Sequence, residues 1–132
     1  MPIFIYQLNI EKMELNVLGT PLTSCCRNPM TGYFRDGFCR TLAEDTGTHT
    51  VCAVVTETFL MFSASQGNDL MRPIPHWGFP GLKQGDRWCL CVSRWLASEK
   101  AGKAPGIVLE ATHQKTLQYA PLKLLQRYGV TR

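Results

Sequence analysis

The stretch Gly85-Asp-Arg-Trp-Cys-Leu-Cys-Val-Ser-Arg-Trp-Leu-Ala-Ser-Glu-Lys100 decides how this chain folds. From 86 to 101 it has no internal turn signal. Trp88, Val92, Trp95 and Leu96 recur at helical spacing, so the pattern predicts one helix. Asp86 would be its N-cap, Gly102 its C′ residue, and Lys100 would face the negative end. A strand over 87–92 competes, but it leaves no turn before the helix-forming Leu96-Ala-Ser-Glu-Lys100. Fully burying either tryptophan contributes on the order of 2–3 kcal/mol, so this element should anchor the core.

On the N-terminal side, His49-Thr-Val-Cys-Ala-Val-Val55 is too β-branched to prefer helix and predicts a strand. Thr56 then caps a helix carrying Phe59, Leu60 and Phe62, which ends at Gly67. Tyr33-Phe-Arg-Asp-Gly-Phe-Cys-Arg40 predicts a β-hairpin turning at Asp36-Gly37, with Phe34 and Cys39 on one face and Arg35 and Phe38 on the other. Residues 14–18 predict a short strand, and 2–8 an edge strand or disordered arm. Met13 is an alternative start, with 1–12 an arm outside the single domain at 13–132. On the C-terminal side, Ile107–Thr112 predicts a strand. Thr112 or His113 caps a short helix, and Pro121 opens a last one stopped by Gly129. Strands and helices mix without regular βαβ alternation, which predicts α+β: one domain, a small mainly antiparallel sheet with helices packed on it.

The composition fits one ordinary globular domain. The chain has 132 residues, 45% hydrophobic and 18% charged, with a net charge of +4. At this length folding hides roughly 70% of the unfolded chain's surface, enough for one core. No run approaches the about 18 apolar residues of a membrane span. The positive charge gathers after residue 93, but its bases are dispersed, so nucleic acid is an unlikely partner. The N-terminal stretch MPIFIYQLNIEKM, residues 1–13, has an apolar run but lacks the basic lead-in and small-residue cleavage site of a secretion signal. A cytoplasmic address and six free thiols are therefore expected at Cys25, Cys26, Cys39, Cys52, Cys89 and Cys91.

Several sequence blocks carry a family resemblance. NVLG at 16–19, TGYFRDGFC at 31–39, HTVCAVVTETFL at 49–60, GNDL at 67–70, FPGL at 79–82, GDRWCLCVSRW at 85–95 and LEATH at 109–113 stand in one order. On these the chain resembles the bacterial and plant family called domain of unknown function 2237, over about Asn16 to Tyr128. The resemblance implies a compact α+β domain and brings no activity, cofactor or partner with it. The tandem Cys25-Cys26 departs from the single cysteine of many relatives.

The chemistry-bearing residues allow three functions. The first is binding of a small polar or anionic molecule beside the 68–87 loop, the longest irregular stretch. Asn68, Asp69, Arg87, Trp88 and Arg94 would be the contacts and Arg35 a further fork for a carboxylate or phosphate. A thiol activity could accompany it: on the helix reading Cys89 and Cys91 lie in the first turn, where free amides favour a thiolate, and His113 is the candidate base. His49 and His76 are weaker candidates. The second is a noncatalytic protein-interaction module using Trp77 and Phe79, or the basic C-terminal helices. The third is a metal-binding, zinc-type domain. Its knuckle spacing is missing, so only distant residues such as Cys52, Cys91 (or Cys89) and His113 could assemble it. No glycine-rich phosphate loop or serine-hydrolase elbow is present.

Overall fold

A computed structural model describes residues 14–130. The expectations for 1–12 and Met13 lie outside those residues. The predicted class holds: a three-stranded antiparallel sheet with helices on it. The centre is β1, Val51–Val54, where β-branched valines flank the small Cys52 and Ala53, a run that fits the buried middle position of a sheet. On one side lies β2, Arg87–Leu90; on the other the short β3, Gly106–Ile107.

The helix expected over 86–101 is two elements. Residues 87–90 are strand, and α2 begins only at Val92 and runs to Lys100, while α1 spans Glu57–Ser65. Register explains the change. Trp88 pairs with Ala53 and Leu90 with Val51, which puts both large side chains on the apolar face of the sheet. Cys91 (φ −57°, ψ 130°) carries the chain straight from strand to helix, so no turn sequence is needed. Nor does Asp86 cap the helix: its carboxylate accepts the Lys83 N–H at 3.0 Å, closing the turn before β2. Gly102 does follow α2 as expected, with φ +71°.

Period-two alternation gives this sheet two different faces. Val51, Ala53, Trp88 and Leu90 join Phe59, Leu60, Val92, Trp95 and Leu125 in the main core under the helices. Trp95 is fully buried; its indole Nε1 donates to the Pro105 carbonyl at 3.2 Å, and its ring meets Tyr128 edge-on at 5.2 Å. Cys52 and Cys89, opposite one another across β1 and β2, point the other way. They form a second core with Cys25, Cys39, Val108 and Ala111.

Six free thiols are not what folds. Cys25 is bonded to Cys52 and Cys39 to Cys89, which leaves Cys26 and Cys91 as the free cysteines. The two bonds fasten the irregular segment 22–48 over the second face. Within it the expected hairpin forms no strand ladder. The Asp36 carboxylate accepts the Phe38 N–H and pairs with Arg40, a local turn that competes with cross-strand pairing. Cys39 is buried as expected, whereas Phe34 is exposed under Arg40. Two other predicted strands shrink. Residues 14–18 make isolated bridges only, and 107–112 turns into a short 3₁₀ helix at Leu109–Ala111. His113 caps the next 3₁₀ turn, Gln114–Gln118, and Pro121 is the N-cap of α3, Leu122–Arg127.

Candidate functional site

A cleft of about 540 Å³ opens where the C-terminal end of β2 meets the start of α2. Three stretches of irregular chain wall it: 32–35, 47–49 and 68–79. The floor is Trp88, Cys89 and Leu90, and Cys91 and Arg94 come from the helix start. The 3₁₀ turn Pro75–Trp77 is held by the Ile74–Phe79 bridge, and the Phe79 ring meets Trp88 in a tilted contact with centroids 5.1 Å apart. The Pro/Gly-rich stretch is therefore ordered as one wall. Trp77 stands at its rim and is 70% exposed.

Two guanidinium groups reach this space. Arg35, at a positive φ of 54°, lies over the Trp88 ring with Cζ 5.2 Å from the centroid. Arg94 donates one N–H to the Gln66 carbonyl at 3.0 Å. A guanidinium has five N–H donors, so one such bond leaves it able to take an anion as well. The Cys91 thiol sits at the α2 N-cap without capping the helix, and its Sγ lies 3.1 Å from the Ser93 hydroxyl.

A histidine held by an aspartate lines the same cleft as the thiol. Val92 donates its N–H to the Thr48 carbonyl at 3.1 Å, which brings the 47–49 wall beside Cys91. His49 lines the cleft, and its Nδ1 lies 2.7 Å from the buried Asp45 carboxylate. Burial on its own would raise the Asp45 carboxyl. Hydrogen bonds from the His49 backbone, the His49 ring and the Thr41 hydroxyl, with the nearby imidazole charge, outweigh it and hold the group below its ordinary value. Asp45 is thus ionised at neutral pH and accepts from His49 Nδ1–H.

The structure brings most of the sequence-proposed contacts together. Asn68, Asp69, Trp88, Cys91 and Arg94 line the cleft; Arg87 does not. Cys89 reaches the floor but is bonded to Cys39, so it offers no nucleophile while that bond stands. His113 is not the base of this site. Its Nδ1 accepts the Lys115 N–H and its Nε2 therefore donates to Glu14, so both ring nitrogens are used structurally. Cys52, Cys91 and His113 do not assemble as a metal site among the described residues; the one cluster of possible ligands there is Cys25, Cys39 and Cys89. The sequence reading placed His49 below His113 as a candidate base and missed the signal that sets it apart. The signal was Asp45 four positions earlier, a spacing that lets one carboxylate hold both the backbone and the ring of the histidine.

Taken together, these features describe a small α+β domain with one mixed polar and aromatic cleft at the sheet's end. The family model for an uncharacterized protein conserved in bacteria, DUF2237, matches residues 15–129, and the chain belongs to that family. No curated protein matches it.

Proposed function

We propose that the chain is a cytoplasmic domain that binds a small anionic molecule in this cleft, with Cys91 as a reactive thiol and His49 as its proton acceptor. The observation that carries the reading is convergence: Arg35, Arg94, His49 and Cys91 come from three separate segments to one hollow. Two arginines suit a carboxylate or phosphate, and the aromatic walls suit a small organic body attached to it. Asp45 keeps the imidazole in the tautomer that can take a proton from a thiol, the arrangement used by cysteine nucleophiles.

The thiol itself reports on the cleft. Iodoacetate and iodoacetamide alkylate the same sulfur, one as an anion and the other neutral. Cys26, also free and partly exposed, is the internal reference. The expected result is a rate ratio, iodoacetate over iodoacetamide, severalfold higher at Cys91 than at Cys26, and a fall toward the Cys26 value in R35Q/R94Q. Equal ratios at the two cysteines, or no response to the arginine substitutions, would overturn the anion-binding reading.

A further inference from the structure

Beneath the cleft floor, to which Cys89 contributes, four cysteines occupy one buried compartment. Cys52 and Cys89 are directly opposed on neighbouring strands, so both sulfurs leave the sheet on the same face. Cys25 and Cys39 descend on them from the covering segment. The sulfurs of Cys25, Cys39 and Cys89 all lie within 4.8 Å of one another, and Cys52 is bonded to the first of these. All four residues are buried, and their packing neighbours are the aliphatic Val54, Val108 and Ala111. Two bonds serving only as separate crosslinks have no need to share a compartment.

We propose that Cys25, Cys39, Cys52 and Cys89 are a redox-gated site for a thiophilic divalent cation of the zinc class. Four sulfurs around zinc at about 2.3 Å stand roughly 3.8 Å apart. On reduction each bonded pair, Cys25 with Cys52 and Cys39 with Cys89, must therefore open from a covalent bond of about 2.05 Å to that spacing. The unbonded separations within Cys25, Cys39 and Cys89 are already no more than 4.8 Å. With no carboxylate or imidazole in the described cluster, the donor set is all sulfur, the set that selects zinc over harder cations. In the oxidised chain the sulfurs are paired and offer no thiolate. A dithiol reductant opens each bond: two electrons and two protons pass to the pair, giving two thiols, and the reductant becomes a disulfide. After both bonds open, the cation displaces the thiol protons to solvent and takes the four sulfurs. In a reducing compartment, where disulfides do not persist, it would replace them in fastening the covering segment to the sheet.

The test uses the whole chain, reduced anaerobically with a phosphine, given zinc, desalted and measured by elemental analysis beside the oxidised protein. One zinc ion per reduced chain and none per oxidised chain is expected. C26S/C91S should keep the metal, and C39S/C89S should lose it. Because C39S/C89S removes a crosslink and can misfold, cobalt(II) is added to reduced C26S/C91S, whose folded quartet should give the intense charge-transfer bands of tetrahedral thiolate ligation. A reduced wild-type chain without zinc, a weak octahedral cobalt spectrum, or metal that follows Cys26 and Cys91 would overturn the proposal and leave two plain crosslinks.

Discussion

Asp45 holds His49 at two points: its Oδ2 accepts the His49 backbone N–H at 2.9 Å, and its Oδ1 meets the ring Nδ1 at 2.7 Å. One carboxylate therefore sets both the path of the 47–49 wall and the orientation of the imidazole. Close packing reinforces the arrangement, since a Cβ on Gly47 would come within 2.4 Å of the His49 ring.

Asp45→Asn should cost about 1.5–3 kcal/mol at neutral pH, the range for hydrogen bonds to a charged group. The sign of its pH dependence follows from the lowered carboxyl. A group depressed on folding contributes stability that is complete above its unfolded value, near 3.9 for Asp, and is lost as pH falls through the folded one. Urea titrations of wild type and variant should therefore differ fully at pH 7 and converge in acid. A constant difference down to the acid limit would contradict the assignment.

Trp95→Ala should be the most damaging single change in the main core, at about 3–5 kcal/mol. The indole is completely buried, bonded to Pro105 and packed on Tyr128, so truncation leaves a cavity and an unpartnered carbonyl. Chemical denaturation with an unchanged m-value is the check.

Trp77→Ala should do nearly nothing to stability, within about 0.5 kcal/mol, because the ring is exposed. The same variant separates the small-molecule function from an interaction module. Preserved alkylation ratios at Cys91 together with loss of a captured protein would favour the module; slower, less selective alkylation would place Trp77 in the ligand's wall.

Gly81→Ala should destabilise the loop wall by more than 1 kcal/mol (about the upper end of an ordinary glycine effect). Gly81 has φ +83°, and a Cβ there would meet the Met71 carbonyl oxygen at 2.4 Å. Hydrogen exchange should rise across residues 70–82, where Leu82 donates to the Leu70 carbonyl, before it rises in β1.

Local pattern made part of this molecule legible. The valine-rich strand at 51–54, the Thr56 cap, the His113 cap and the stop at Gly102 all appear where short-range chemistry places them. The segment 86–91 was ambiguous because Trp88, Val92 and Trp95 satisfy a helical stripe while Trp88 and Leu90 also satisfy a strand. Only the partner strand resolves that choice, and a partner 33 to 39 positions away is invisible to periodicity. The same blindness hid the cysteine pairs. Each joins the covering segment to the sheet, across 27 and 50 positions, and no spacing rule reports that. The cleft was half legible, since the contacts came from loop and helix-start arguments, while His49 needed its carboxylate partner to be noticed.

The spans 25–52 and 39–89 overlap, and this has a consequence for a cut backbone. Sever any one peptide bond from Cys25 to Cys89, and at least one sulfur bridge still ties the two fragments together. A protease that clips the exposed rim around Trp77 would yield a protein of unaltered mass on a denaturing gel. It would fall into two pieces only when thiol is added.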